Sequence, residues 1–237
     1  MHKSEHLFAI SDVMVNNYEK IFQQDLELLL AGTKKINKKS IIEKNKTLKM
    51  VYAGNLGLGR WNVLVELAKK IQKLNNEKKV YSLDIYSSNR PSERIVKKLE
   101  RYTNVIYKGS VSAEELTSIL NKADILVHVE SFEKKNRKRT KMSISTKIPN
   151  YLGLGKVLLA IGPEEVASIK HISSNKAGIC VTEYKQLENK LKTILSNENN
   201  INDLSVENAL NLAEREHKAE NISLKVQNAL NNVYCTK

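Results

Sequence analysis

Between Leu48 and Ser196 the sequence alternates strand-like and helix-like stretches six times, with only a few residues at each switch. "LKMVYAG" reads as a strand ending at a glycine, and "RWNVLVELAKKIQKLN" places Leu64, Leu67, Ala68, Ile71 and Leu74 on one helical face. Strands over "VYSLDIYS", "NVIYKG", "DILVHVE", "KVLLAIG" and "AGICVT" follow. Helices over "PSERIVKKLERY", "SAEELTSILNKA", "PNYLGLG" and "PEEVASIKHIS" separate them, and "EYKQLENKLKTILS" comes after the last. Pro91 suits a first helical turn, Ser112 and Glu115 have capping-box spacing, and Gly155 is placed to stop a helix. Parallel neighbours need a crossover, and the crossing helices cover both faces. The predicted fold is therefore α/β, a doubly wound parallel sheet.

Two stretches fall outside the alternation. Leu7 to Lys35 holds a short strand and a helix in "LFAISDVMVNNYEKIF" and a further strand in "DLELLLAGTKK"; the lysine- and asparagine-rich "KKINKKSIIEKNKT" then reads as a linker. At the other end "SNENNINDLS" reads as a polar linker before one long amphipathic helix from about Val206 to Val233.

A chain of 237 residues can bury a substantial core. Cys180 and Cys235 lack disulfide or metal spacing and point to a reducing compartment. "MHKSEHLFAISDVM" has no apolar stretch of signal-peptide length, and no run approaches a membrane span. The expected location is cytoplasmic, free or peripheral at the inner face of the membrane. A net charge of +13, from 39 Lys+Arg against 26 Asp+Glu, asks for an anionic partner. "KKNRKR", from Lys134 to Arg139, looks like a nucleic-acid tract in isolation, but between a strand and a helix start it reads as a mobile basic loop beside a site.

Ligands of open parallel sheets bind at the carboxyl ends of the strands, which selects the loops to inspect. "GNLGLGR", residues 54–60, has three glycines between a strand and a helix, spaced G-x-x-G-x-G, which is neither the dinucleotide fingerprint nor a P-loop. Glycines allow close backbone approach, helix-start amides favour an anion, and Arg60 can fork onto phosphate. The alternative is a tight turn with a solvent-facing arginine. "SISTKIPNY" brings Ser143, Ser145, Thr146 and Lys147 to another helix start, as a diphosphate cradle or as an ordinary cap with a surface lysine. His128, inside an apolar strand, reads as a hydrogen-bonded core residue, and His171 and His217 as surface or packing residues. No His/Cys/Asp group has metal spacing, so neither metal nor cofactor is expected.

The segments "YAGNLGLGRWNVLVELA", "NVIYKGSVSAEELTSILNKADILVHV" and "STKIPNYLGLGKVLLAIGP" carry a family resemblance. The run from Met50 to about Ser196 resembles the carboxy-terminal nucleotide-sugar-binding domain of GT-B glycosyltransferases of the retaining group-1 type. "FAISDVMVNNYEKIF" resembles the end of their acceptor-binding domain, and "AEREHKAENISLKVQNAL" their terminal crossing helix. The resemblance implies residues 1–47 as the end of an acceptor domain plus linker, 48–198 as a Rossmann-like donor domain, and 199–237 as a crossing helix.

The resemblance also implies roles. Asn55, Gly57, Arg60, Ser145, Thr146 and Lys147 would contact the donor diphosphate, and Glu130 and Asn150 the sugar or ribose. Met142 and Asn150 stand where the family places the two glutamates of an E-x7-E pair, and Val157 replaces a usual proline. The expected function is donor binding for glycosyl transfer to a polysaccharide, lipid-linked or other glycan acceptor, with the acceptor domain supplied elsewhere and the isolated half inactive. No catalytic residue is identified. A non-catalytic or regulatory subunit is the alternative, and a basic nucleic-acid-binding module ranks behind both, so no nucleic acid is expected. The basic surface is expected to favour anionic membrane.

Overall fold

The structure is a computed structural model and describes residues 6–39, 47–76 and 80–235. The expected linker residues 40–46 lie outside the described part. Six parallel strands form one sheet: β3 (Leu48–Ala53), β4 (Tyr81–Tyr86), β5 (Val105–Gly109), β6 (Ile125–Val129), β7 (Val157–Ile161) and β8 (Ile179–Val181). Their order across the sheet is β5-β4-β3-β6-β7-β8. Before them, β1 (Phe8–Ala9) and β2 (Glu27–Leu28) pair in parallel as a separate two-stranded sheet joined by α1 (Asp12–Phe22).

The sheet splits the core by the period-two rule. Leu48, Met50 and Tyr52 of β3 face one side, where they pack with Leu64, Leu67 and Ile71 of α2 (Arg60–Asn75) and Leu191 of α8 (Leu187–Ser196). Val51 and Ala53 face the other, with Tyr151 and Leu152 of α6 (Ile148–Gly153), Ile169 and Ile172 of α7 (Ala167–Ser174) and Leu212 of α9 (Ile201–Glu216). Every residue of β6 and β7 is buried, as strands covered on both faces must be.

Local signals behave as their chemistry dictates. Ser112 and Glu115 close a capping box at the start of α4 (Ala113–Lys122), with bonds of 3.2 and 2.9 Å. Gly155 ends the α6 region in the left-handed conformation, φ +66°. Pro91 lies outside its helix, because Ser92 caps α3 (Glu93–Glu100).

Two expectations are corrected. The basic stretch expected as a mobile loop is helix α5 (Lys134–Thr140), which contains no breaker and anchors through buried Thr140 and an Arg137–Glu165 ion pair of 3.1 Å. The single helix expected from about Val206 to Val233 is two helices. α9 ends at Glu216, His217 leaves helical geometry with φ −119° and ψ 7°, and α10 (Ala219–Cys235) forms the long terminal helix. At this break the chain meets its own beginning: Thr33 donates its amide to the His217 carbonyl at 2.7 Å, and Ala219 donates to the Thr33 carbonyl at 3.0 Å. The second linker shrinks to a few residues, with Asn197, Asn199 and Asn200 in the left-handed region that asparagine tolerates.

Candidate functional site

β3 and β6 are neighbours, so the loops leaving their carboxyl ends meet. Gly54 follows β3 and donates its amide to the Tyr86 carbonyl at 2.9 Å. The Asn55 side chain accepts from the Gly57 amide at 2.5 Å, and Leu58 and Gly59 both take positive φ, 53° and 73°, to turn the chain into α2. A Cβ on Gly59 would lie 2.6 Å from Ser131 Oγ, so this turn needs glycine for approach as well as for φ. The same seat is fixed by Glu133, whose carboxylate accepts from Asn62 and from Asn136, each at 2.7 Å.

Arg60, the first residue of α2, therefore faces Glu130, the first residue after β6. Its Nη2 donates to both carboxylate oxygens, at 3.2 and 3.1 Å, with side-chain exposures of 19% for Arg60 and 3% for Glu130. Glu130 is held by its own amide on the Ile161 carbonyl, 2.8 Å, and by Gly162, where a Cβ would come within 2.9 Å of Glu130 Cβ. Lys147, at the start of α6, completes the group. Its Nζ occupies the space that a Cβ on Gly54 would need and lies 5.8 Å from the centre of the Tyr52 ring. Tyr52 donates its hydroxyl to the Asn55 carbonyl at 2.8 Å, and Tyr151 to the Ala53 carbonyl at 3.3 Å.

The electrostatics follow from burial. Desolvation, reinforced by Arg60 and opposed by Glu130, lowers the Lys147 ammonium to about 8. Burial pushes the Glu130 carboxyl upward against the pull of Arg60, Lys147 and the Thr140 hydroxyl. His128 is held at about 3 by burial, with Arg60 and Lys147 adding to the effect, and so stays neutral. Two cations share one buried carboxylate, which leaves the group with a local excess of positive charge when Lys147 is protonated. An entering anion relieves that excess.

Several sequence expectations change in detail. The Arg60, Trp61 and Asn62 amides donate to the Gly57, Leu56 and Gly59 carbonyls, so these helix-start donors are spent on the turn. The backbone is thus the tight turn that was the bland alternative, while its arginine is ion-paired. The Ser145 amide goes to Ser168 Oγ at 2.9 Å; Thr146 and Asn150 are exposed, Asn150 one helical turn beyond Lys147. Met142 uses its carbonyl to accept from Ser11 at 2.5 Å. His128 was expected to be hydrogen-bonded, but its Nε2 has no such partner and lies 3.6 Å from Glu130 Oε1, too far for a bond.

Residues not singled out from the sequence also border the site. A cleft of about 280 Å³ beside the glycine loop is lined by Asn55, Gly57, Trp61, Asn89 and Arg90. Its signal was present, since residues 89–91 belong to a loop at a strand's carboxyl end.

Six parallel strands in this order, with charged loops gathered at the carboxyl edge, define a doubly wound domain of Rossmann type. More narrowly, the fold is that of the carboxy-terminal domain of GT-B glycosyltransferases. No protein-family model matches the sequence, and no curated protein does. Solved structures do match. A chain of the GtfA/B complex superposes with TM-score 0.73 at 12% identity, over 97% of this chain and 46% of that one. A mutant of S. aureus TarM, crystallised with fondaparinux, α-GlcNAc-glycerol and UDP, gives TM-score 0.70 at 15% identity over 97% and 44%. WaaG, a glycosyltransferase involved in lipopolysaccharide biosynthesis, gives TM-score 0.61 at 17% identity over 88% and 58%. This chain spans about half the length of these structures, and at such identities the likeness is one of fold.

Proposed function

We propose that this chain is the donor-binding half of a glycosyltransferase, holding the diphosphate of a nucleotide-sugar at the carboxyl edge of its sheet. The observation that carries the reading is the convergence of Arg60 and Lys147 on one buried carboxylate beside a glycine turn. Arg60 would transfer part of its fork from Glu130 to phosphate oxygens, and Lys147 would act as a point charge. Together they stabilise the charge that develops on the departing nucleoside diphosphate, which lowers the barrier to glycosyl transfer. Ser145, Thr146, Asn55 and Gly57 line the approach, and Asn150 is placed toward the ribose or sugar. In this reading Glu130 sets the Arg60 geometry from below. The chemistry needs no metal ion.

The acceptor-binding part would come from another segment or another chain, since the related folds are about twice as long. One similar structure, the GtfA/B complex, is compatible with a partner chain. A non-catalytic partner role is the second reading, favoured by the absence of a carboxylate at both Met142 and Asn150. Peripheral attachment to anionic membrane is proposed from the +13 charge; among the described residues no helix is long and apolar enough to cross a membrane.

Calorimetric titration with UDP, GDP and ADP tests the donor site. One nucleotide should bind saturably, and Arg60→Ala combined with Lys147→Ala should abolish the binding. Absence of binding by any of the three at millimolar concentration would move the partner role to the front.

A further inference from the structure

Away from the donor edge, two histidines that the sequence separates by 46 residues meet with their ring nitrogens. His171 belongs to α7 and is 7% exposed; His217 sits in the break between α9 and α10 and is fully buried. Their Nε2 atoms are 2.8 Å apart, the rings perpendicular. His217 Nδ1 lies 2.8 Å from the Ala31 carbonyl, which can only accept, so His217 carries its proton there and presents a bare Nε2 lone pair. That is the outer hydrogen bond by which metal-binding histidines are oriented. Glu216 brings a carboxylate oxygen within 4.8 Å of both imidazole nitrogens. Arg215 donates to one Glu216 oxygen, Oε1, at 2.7 Å.

We propose that His171, His217 and Glu216 form a site for a divalent transition-metal ion of the zinc class, clamping α7 to the α9–α10 break. Bonds of about 2.0–2.1 Å place tetrahedral ligand atoms about 3.3 Å apart, so the imidazoles need to open by only about half an ångström. On binding, the single proton of neutral His171, which the Nε2–Nε2 hydrogen bond places on its Nε2, moves to Nδ1, and both Nε2 atoms become ligands. Imidazole and carboxylate donors suit zinc, nickel or cobalt rather than magnesium. A cavity of about 260 Å³, walled by His171 and by Asp12, Asn16 and Asn17 of α1, gives the ion an entry and room for a water as fourth ligand. The fold hides this site from sequence spacing, because one ligand lies on α7 and two straddle a helix end.

The whole chain, stripped with chelator, is titrated with Zn²⁺ and with Co²⁺, with Mg²⁺ as the hard-cation control. The expected result is one Zn²⁺ per chain, a rise in Tm of several degrees, and visible Co²⁺ absorption bands, with Mg²⁺ without effect. His171→Asn should abolish these signals, and Glu216→Gln, at a half-exposed position that tolerates the change, should weaken Zn²⁺ binding at least about tenfold. No uptake by the wild-type chain would overturn the proposal. Uptake and Co²⁺ bands unchanged by Glu216→Gln and by His171→Asn would place the metal elsewhere and overturn it equally. If His171→Asn fails to fold, the Glu216→Gln affinity alone decides.

Discussion

Replacing Glu130 by glutamine gives a prediction in which affinity changes while stability stays nearly level. The carboxylate is the only anion paired with Arg60 among the described residues, and it lies 3.1–3.2 Å from Nη2 with little exposure on either side. With charge centres about 4 Å apart and an effective dielectric constant of about 20, the Coulomb attraction is about 4 kcal/mol. Glutamine keeps an acceptor oxygen for Arg60, which returns about 1–1.5 kcal/mol. Removing the charge also removes the burial cost that holds the carboxyl upward against Arg60, so loss and gain nearly cancel and Tm should change by no more than a few degrees. The two cations then lack their counter-ion, and a diphosphate supplies it, so the preferred nucleoside diphosphate should bind about tenfold more tightly, equivalent to about 1.4 kcal/mol. Urea denaturation and calorimetric titration of wild type and Glu130→Gln measure both quantities. Weakened binding would refute the counter-ion argument and make Glu130 a direct ligand contact; a fall in Tm of about 10 °C or more would refute the near-cancellation of burial and attraction.

Other consequences follow from the same group. Lys147, at about 8 before binding, should be driven to its charged form by a diphosphate; at pH 7.5 binding should take up about a quarter of a proton, visible as a dependence of calorimetric enthalpy on buffer ionisation. Affinity should fall as pH rises through 8, and Lys147→Ala should remove that fall. Gly54→Ala should displace the Lys147 ammonium and push against the buried Tyr52 ring, weakening nucleotide binding at least tenfold and lowering Tm. An unchanged Kd would show that Lys147 does not bind from this position. His128 binds its proton near 6.5 when unfolded and only near 3 when folded, so it withdraws stability as pH drops below 6.5, by up to about 1.4 kcal/mol per pH unit. His128→Gln should flatten the acid limb of stability against pH, and an unaltered limb would contradict its buried neutral state.

The fold was legible because its information is local and repeated. Apolar periods, the Ser112 box and Gly155 act within a few residues of themselves, and their sum leaves little choice of topology. The places of Arg60 and Lys147 were also legible, since both stand where a loop from a strand's carboxyl end enters a helix. Their mutual arrangement was not. That Glu130 accepts from Arg60, that Gly54 makes room for Lys147, and that the helix-start amides are consumed by the turn are contacts across strands and loops. The break at His217 escaped for the same reason: "AEREHKAEN" contains no glycine or proline, and what stops the helix is a tertiary bond, His217 to Ala31. The basic helix α5 escaped because charge density was read as mobility, whereas its inward Thr140 sets its order.

The bond from His217 to Ala31 and the paired bonds around Thr33 join positions up to 186 residues apart. Closing so long a loop costs chain entropy that no neighbouring contact shares, so this seam belongs among the last contacts to form and the first to open. Opening it frees α10, and loosens β1, α1 and β2 while Ser11 still holds Met142, leaving the six-stranded ladder intact. Native-state hydrogen exchange should therefore show two protection classes divided at the seam, with the donor edge in the slower one. A body attached through either crossing could be released or re-seated without the six-stranded sheet ever losing its order.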